Sequence, residues 1–256
     1  TYKPKYMESV WWLLSQIYKK GWLYKGYTIQ PYSPKAGTGL SSHELNQPGT
    51  YQDVTDTTVV AQFKAVKETL PDDLKDVEGN IFFLAWTTTP WTLPSNTALT
   101  VGPKIDYVLV QTYNQYTFEP INVVLAKSLI GKQFTGKFSQ VENQSDLSSY
   151  KEEDKKIPFF VAKELKGIDL VESRYEQLLD YVQPYHNPEN AFRVIAGDFV
   201  TTEDGTGIVH TSPTFGADDA FVAKQAKPEV PALLVKDQNG NLVPTVDLQG
   251  KFIEEL

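Results

Sequence analysis

Cysteine is absent from the 256 residues, and histidine (three), arginine (two) and methionine (one) are scarce. No disulfide framework, thiolate-held zinc or thiol nucleophile can be built, and with so few histidines no metal site is expected. Long apolar runs are missing too. The longest, Val10 to Leu14, Ile81 to Trp86 and Ile121 to Ala126, fall far short of the roughly 18 residues that a membrane span needs. No cationic stretch leads into a small-residue cleavage site, so neither a signal peptide nor a membrane partner is expected. Positive charge is in deficit: 24 basic against 32 acidic residues give a net charge of −8, with Arg174 and Arg193 the only arginines. A broad cationic face for duplex nucleic acid is thereby disfavoured, and any nucleic-acid contact should be local. The cysteine-free composition fits a reducing, cytoplasmic setting.

What is present begins with a helix. Tyr6, Val10, Leu13, Leu14 and Ile17 recur at three- and four-residue spacings over residues 5–19, and Gly21 supplies a stop. Trp11, Trp12, Trp22 and Tyr24 make this stretch aromatic: either the indoles pack on a neighbour, or they form an exposed patch. After Pro31 and Pro34 the texture turns to Gly, Ser, Thr and Asn, so residues 1–30 are set off as a helical connecting segment from a domain over 31–256. Short strand patterns then fill the chain: 57–63, 81–86, 98–101, 107–111, 121–126, 157–162, 192–195, 199–201, 207–210 and 232–235. Reversal signals such as Gly79-Asn80, Asp204-Gly205 and Asn239-Gly240 separate them. Residues 141–156 read as a solvated loop, and residues 171–182 as a helix with Tyr175, Leu178, Leu179 and Val182 inward. The expected class is mainly β with α: a β-barrel-like core of short strands with peripheral helices, plus the N-terminal amphipathic helix.

Two strings carry chemistry. In the first, Trp86 to Asn96, three threonines (Thr87, Thr88, Thr89) leave an apolar strand and stop at Pro90, offering hydroxyls that both donate and accept. A threonine ladder on a sheet edge would explain these alone. Trp91, Thr92, Pro94 and Asn96 are harder to place on an edge, because prolines remove ladder donors and fix a loop. In the second, Glu203 to Asp219, glycines precede a short strand ending on His210, and a turn leads to Asp218 and Asp219 at a helix start. Helix capping is the plain explanation for either aspartate, and a core position for the histidine. Together they bring a carboxylate and an imidazole within reach of one pocket. Ser41-Ser42-His43-Glu44 is a polar turn and no relay, since neighbours on an extended chain point to opposite sides.

The strings TTTPWTLPSN and GTGIVHTSPTFGADD resemble the editing domain, connective polypeptide one, inserted into class I isoleucyl-tRNA synthetases. The flanks YMESVWWLLSQIYKKGWLYKG and DLQGKF resemble the segments leading into and out of it, so the likeness covers essentially the whole chain. Valyl and leucyl counterparts carry arginine after two threonines, where Thr89 stands here. Neither a HIGH nor a KMSKS string is present, so aminoacylation is not expected of the chain itself.

The resemblance implies hydrolysis of valine esterified to tRNA(Ile), with the valine-bearing 3′ end of that tRNA and the remainder of the synthetase as partners. No cofactor or metal is implied, and a monomer is expected. Asp219 would anchor the substrate's α-ammonium, while His210 would bar the larger isoleucine, in a role as much steric as acid–base. Thr87, Thr88 and Thr89 would hold the terminal adenosine and the attacking water. Trp86, Trp91 and Thr92 would form pocket wall, and Asn96 would fix the loop or the ribose. Local lysines would suffice for the single-stranded end. A docking module without hydrolysis, a spacer, and editing of valyl or leucyl specificity remain alternatives.

Overall fold

The computed structural model describes residues 2–26 and 28–256. Helix α1 (Pro4–Lys19) starts on a proline, whose missing N–H costs nothing in a first turn, and ends where Gly21 adopts φ +73°. A small hairpin, β1 (Tyr32–Ser33) with β2 (Thr38–Gly39), and the single turn α2 (Ser42–Leu45) follow. Then come β3 (Val59–Lys64), α3 (Asp72–Lys75), β4 (Ile81–Thr87), β5 (Ala98–Val101), β6 (Asp106–Tyr113) and β7 (Pro120–Ala126). Next in the chain are α4 (Ile130–Gln133), β8 (Phe138–Gln140), β9 (Ile157–Lys166), α5 (Gly167–Leu170), β10 (Arg193–Ala196), β11 (Ile208–Thr211) and α6 (Ala217–Gln225). A hairpin of β12 (Val235–Lys236) and β13 (Leu242–Val243) comes last.

The main sheet runs β10-β5-β11-β4-β7-β6-β9-β8, with β3 antiparallel on β4's other edge. Strand β4 is where it forks. Its first residues pair in parallel with β7 (Ile81 opposite Asn122), and its end pairs in parallel with β11 (Trp86 opposite Val209). The fork decides the site, because the threonines that leave β4 emerge beside the strand that carries His210.

Residues 172–176 close the other side. The N–H groups of Glu172 and Tyr175 donate to β10 and its flank at Val194 and Phe192, while Val66 donates to the carbonyl of Arg174 and Glu176 to that of Lys64 at the end of β3. The ring β3-β4-β11-β5-β10 is thus completed by this segment, around a filling of Phe63, Phe83, Leu99, Val101, Val194, Ile208 and Tyr175. The helix expected over 171–182 is therefore wrong. Its apolar spacing arises from a barrel stave, whose backbone groups are satisfied by strands on both sides. Both arginines serve this seam. Arg193, 1% exposed, pairs with Glu172 and donates to Asn190 and Pro228 carbonyls, and Arg174 donates to those of Glu189 and Ala191.

A second core, Leu84, Val108, Val110, Val123, Leu125 and Phe159, fills the opposite face of the sheet, and a third, Ala98, Ile195, Val222, Ala223 and Val230, sits beneath α6. Other expectations need correction. Residues 199–201 form no strand, because β5 ends at Val101 and offers β10's continuation no partner. Of residues 232–235 only Val235 lies in a strand; the carbonyls of Leu233 and Leu234 accept from Thr214 Oγ1 and the Tyr185 N–H instead of a ladder. The loop at 141–156 contains a short 3₁₀ turn, Gln144–Ser149, and β8 precedes it unforeseen.

The serine-histidine string is the start of α2. Ser41 Oγ accepts from the Glu44 N–H, Glu44 Oε2 accepts from the Ser41 N–H at 2.7 Å, and His43 Nε2 lies 3.2 Å from Gln47 Nε2, so no relay exists. Helix α1 buries no residue, with Trp11 and Trp12 among its bare side chains. Of the two readings of its indoles, the exposed patch is the one observed.

Candidate active site

Where β4 ends, proline shapes the chain. Pro90 and Pro94 lock their φ angles, and residues 90–95 wind into a 3₁₀ turn that returns to the sheet as β5. Hydroxyls fasten this turn. The Thr89 N–H donates to Thr87 Oγ1 at 3.0 Å, the two threonine hydroxyls lie 3.3 Å apart, and Thr92 Oγ1 donates to the Thr89 carbonyl at 2.9 Å. Thr87 is buried, whereas Thr88 and Thr89 are exposed.

His210, on β11, stands behind this turn with both ring nitrogens engaged. Nδ1 lies 2.8 Å from Asn96 Nδ2 and Nε2 lies 3.0 Å from Thr92 Oγ1. The amide orientation of Asn96 is fixed independently, since Nδ2 also donates to the Ala98 carbonyl at 2.8 Å and Oδ1 accepts from Tyr175 OH at 2.6 Å. Nδ1 must therefore accept, and the ring proton sits on Nε2, donating to Thr92. Burial holds His210 neutral, its pKa pushed down to about 4. A neutral imidazole with both nitrogens occupied is a rigid wall and has no lone pair to spare for a proton transfer.

Asp219 arrives from a different element, the first turn of α6. It is not the capping residue that its position suggests, for the N-cap is Gly216 and no side chain caps the helix. Instead Oδ2 accepts from the Ser212 N–H at 2.8 Å, and Oδ1 has no hydrogen-bond partner among the described residues. The side chain folds over Gly216, where a Cβ would lie 2.6 Å from the Asp219 Cγ, so glycine is the residue that fits there. Burial, with Asp218 beside it, raises the pKa of this carboxyl despite the Ser212 hydrogen bond. An incoming cation would offset that cost.

Both arms line one cleft of about 1280 Å³. Of the residues singled out from the sequence, Trp86, Thr87, Thr88, Thr89, Trp91, Thr92, His210 and Asp219 all border it; Asn96 does not. Asn96 is buried behind His210, so its expected contact with the loop or ribose becomes a hold on the histidine. Trp91 meets Phe215 edge-on at 5.0 Å, and the turn at Gly205, φ +77°, packs on Trp86, where a Cβ would lie 2.9 Å from Cε3. Glu203, Asp204 and Asp247 add carboxylates to the lining, Asp204 paired with Lys132 at 2.7 Å, and no lysine or arginine is itself among the described lining residues.

Sequence reasoning missed Tyr175, whose helical misassignment hid it, and Ser212, whose buried Oγ has no partner among the described residues. It also missed that the two flanks, residues 28–34 and 244–250, wall the cleft together. Ser95 Oγ and Thr245 Oγ1, 2.7 Å apart, pin the second flank to the 90–95 turn. No cluster that could hold a metal is found among the described residues, and none of their helices is long and apolar enough to cross a membrane.

Against this geometry stand the comparisons. The family model "tRNA synthetases class I (I, L, M and V)" matches residues 1–203. The chain belongs to the class I tRNA synthetases. It is 62% identical over 252 residues to the isoleucine–tRNA ligase of Bacteroides fragilis, covering 98% of this chain and 21% of that protein. To the isoleucine–tRNA ligases of Cytophaga hutchinsonii and Clostridium tetani it is 59% and 40% identical, over 100% and 96% of its length and 22% and 20% of theirs. This class I chain thus spans about a fifth of the length of these relatives. Among solved structures, the Plasmodium knowlesi cytosolic leucyl-tRNA synthetase editing domain is similar with a TM-score of 0.48 at 12% identity, covering 70% of this chain and 66% of that one.

Proposed function

We propose that this chain is the editing unit of an isoleucine–tRNA ligase, and that its cleft hydrolyses the ester joining valine to the 3′ end of tRNA(Ile). The need arises from pocket energetics. A hydrophobic synthetic site gains only about 1–3 kcal/mol from one methylene, a limit for which isoleucyl-tRNA synthetase is itself the standard example, so a second site must remove the error. The observation that carries the reading is a cleft in which a half-partnered carboxylate, Asp219, faces a shared space with a neutral, immobile imidazole, His210. That pairing suits an aminoacyl group: the carboxylate takes the α-ammonium, and the ring limits the length of the aliphatic chain.

In the reaction, water attacks the ester carbonyl carbon, the bond from that carbon to the ribose oxygen breaks, and the ribose oxygen recovers a proton. Asp219 orients the acyl group by its ammonium. Thr88 and Thr89, exposed at the mouth, offer hydroxyls to the ribose and the water, while Thr87, spent on the loop, supports them. Trp86, Trp91 and Thr92 form wall. His210 is no general base in this scheme, because Nδ1 already accepts and Nε2 already donates. With no lysine or arginine among its described lining residues, the cleft takes the terminal nucleoside by hydrogen bonds, and the rest of the ligase, in the cytoplasm, carries the tRNA body. Neither cofactor nor metal has a part.

The test is deacylation by the intact ligase. With Asp219→Ala, valyl-tRNA(Ile) should accumulate during aminoacylation with valine; clearance at the unaltered enzyme's rate would sink the ammonium anchor.

A further inference from the structure

Behind the cleft wall a directed line of hydrogen bonds runs from the seam of the barrel to the mouth: Tyr175 OH to Asn96 Oδ1, Asn96 Nδ2 to His210 Nδ1, His210 Nε2–H to Thr92 Oγ1, and Thr92 Oγ1–H to the Thr89 carbonyl. We propose that Tyr175 is a positioning residue which, through Asn96, holds His210 in its neutral Nε2–H tautomer and so fixes the wall that sets the acyl-size limit of the cleft. The proposal rests on the editing reading for its functional half only, since the tautomer can be read without any substrate.

Three observations support it. Direction in the line is forced at Asn96, whose amide nitrogen faces two main-chain carbonyls, those of Ala98 at 2.8 Å and Thr211 at 3.4 Å. Its oxygen can then only accept, and Tyr175 OH, 2.6 Å away, is the donor. Secondly, Tyr175 is 3% exposed and lies outside the cleft, so it cannot touch a ligand and can act only through another residue. Thirdly, its ring is independently seated, edge-on to Phe63 at 5.3 Å and to Phe192 at 6.2 Å. Removal of the hydroxyl alone should therefore leave the packing intact while stranding a buried amide oxygen, the asymmetric situation in which a lost hydrogen bond matters most. Without that donor the amide is held at its nitrogen alone, by the Ala98 and Thr211 carbonyls; its plane can tilt, the hydrogen bond to Nδ1 weakens, and the ring can change tautomer or turn.

The chain makes this measurable, because it contains three histidines and the other two, His43 and His186, are exposed. In the 256-residue chain labelled with ¹⁵N-histidine, the buried ring should show one bare nitrogen, Nδ1, and one protonated, Nε2, at neutral pH. A protonated Nδ1 in the unaltered chain would overturn the proposal, whatever any variant does. Tyr175→Phe should shift the two nitrogen signals toward a tautomer mixture. In the intact ligase it should raise hydrolysis of isoleucyl-tRNA relative to valyl-tRNA by up to about tenfold, within the discrimination that one methylene allows. The gain should lie in kcat for the isoleucyl ester.

Asn96→Asp places a carboxylate oxygen against Nδ1 and should move the proton to that nitrogen. Nitrogen signals unchanged in both variants, or a loss of folding stability in Tyr175→Phe with tautomer and discrimination intact, would make Tyr175 a packing residue and defeat the inference. Should the unaltered ligase clear valyl-tRNA no faster than a ligase lacking Asp219, the editing reading fails, while the nitrogen signals still decide whether Tyr175 sets the tautomer.

Discussion

The two arms of the cleft are built on opposite terms. On the β11 side every polar atom of His210 is matched, the ring is deep, and its supports come from the 90–95 turn and the barrel seam. On the α6 side Asp219 has a single hydrogen bond among the described residues, stands in partial burial, and holds its charge at a cost. The histidine arm is finished without a ligand and the aspartate arm is not. A completed arm can exclude and an incomplete one can bind, and under the proposed function this would separate the selection of acyl length from the capture of the ammonium.

The sharpest way to break this contrast is at the incomplete arm. Asp219→Ala should lower hydrolysis of valyl-tRNA(Ile) by about 1000-fold, the scale of about 4 kcal/mol expected when one partner of a buried charge pair is removed. Single-turnover deacylation by the ligase reads this directly. A drop below tenfold would mean that the carboxylate does not meet the ammonium.

At the finished arm the large effect is on stability and pH. His210 is depressed from 6.5 to about 4 in the folded chain, so below pH 6.5 the unfolded chain binds a proton that the folded one refuses. Stability present above pH 6.5 is lost as pH falls toward 4, by about 3 kcal/mol in total. Denaturant unfolding from pH 7 to pH 4 should show that slope, and His210→Phe should flatten it. A smaller effect follows from opening the same wall: His210→Ala should let isoleucyl-tRNA be hydrolysed about tenfold faster relative to valyl-tRNA, within the discrimination that one methylene allows. An unchanged ratio would remove the ring from the size limit.

How much of this contrast could be read from the chain follows from where each interaction lies in sequence. The strands β4, β5, β7 and β9 were visible because apolar residues repeat within them, and GTG before β11 pointed to a close approach, realised where a Gly207 Cβ would lie 2.4 Å from that of Ala126. The two arms of the cleft stand in two compact strings and are legible as composition, whereas the flanks 28–34 and 244–250 that also wall it are not. Nor was the site's division of labour. Asn96 reads as a polar loop end, and only the register of β5 against β11, with His210 opposite Leu99, sets it behind the ring. Tyr175 has helical neighbours by spacing, and only pairing to β3 and β10, far apart in the chain, shows it as a stave. Local periodicity cannot report on a segment whose partners lie on both sides of it.

The smallest expected effect returns to Asp219, with its sign reversed from the catalytic one. A carboxyl whose pKa is raised by burial keeps its proton to higher pH in the folded chain than in the unfolded chain. Through the window between the ordinary aspartate value and the raised one, the folded state binds more protons, and stability falls as pH rises. Above that window the ionised side chain is a standing cost. Asp219→Asn keeps an oxygen for the Ser212 N–H and discards the charge, so at pH 7 it should unfold at the same or a slightly higher temperature than the parent chain. At a pH below the window, where both forms of the parent are protonated, the advantage should vanish. Thermal unfolding at the two pH values decides it, and a destabilised Asp219→Asn at pH 7 would mean that the carboxylate is satisfied by the protein, with nothing held in reserve for a cation.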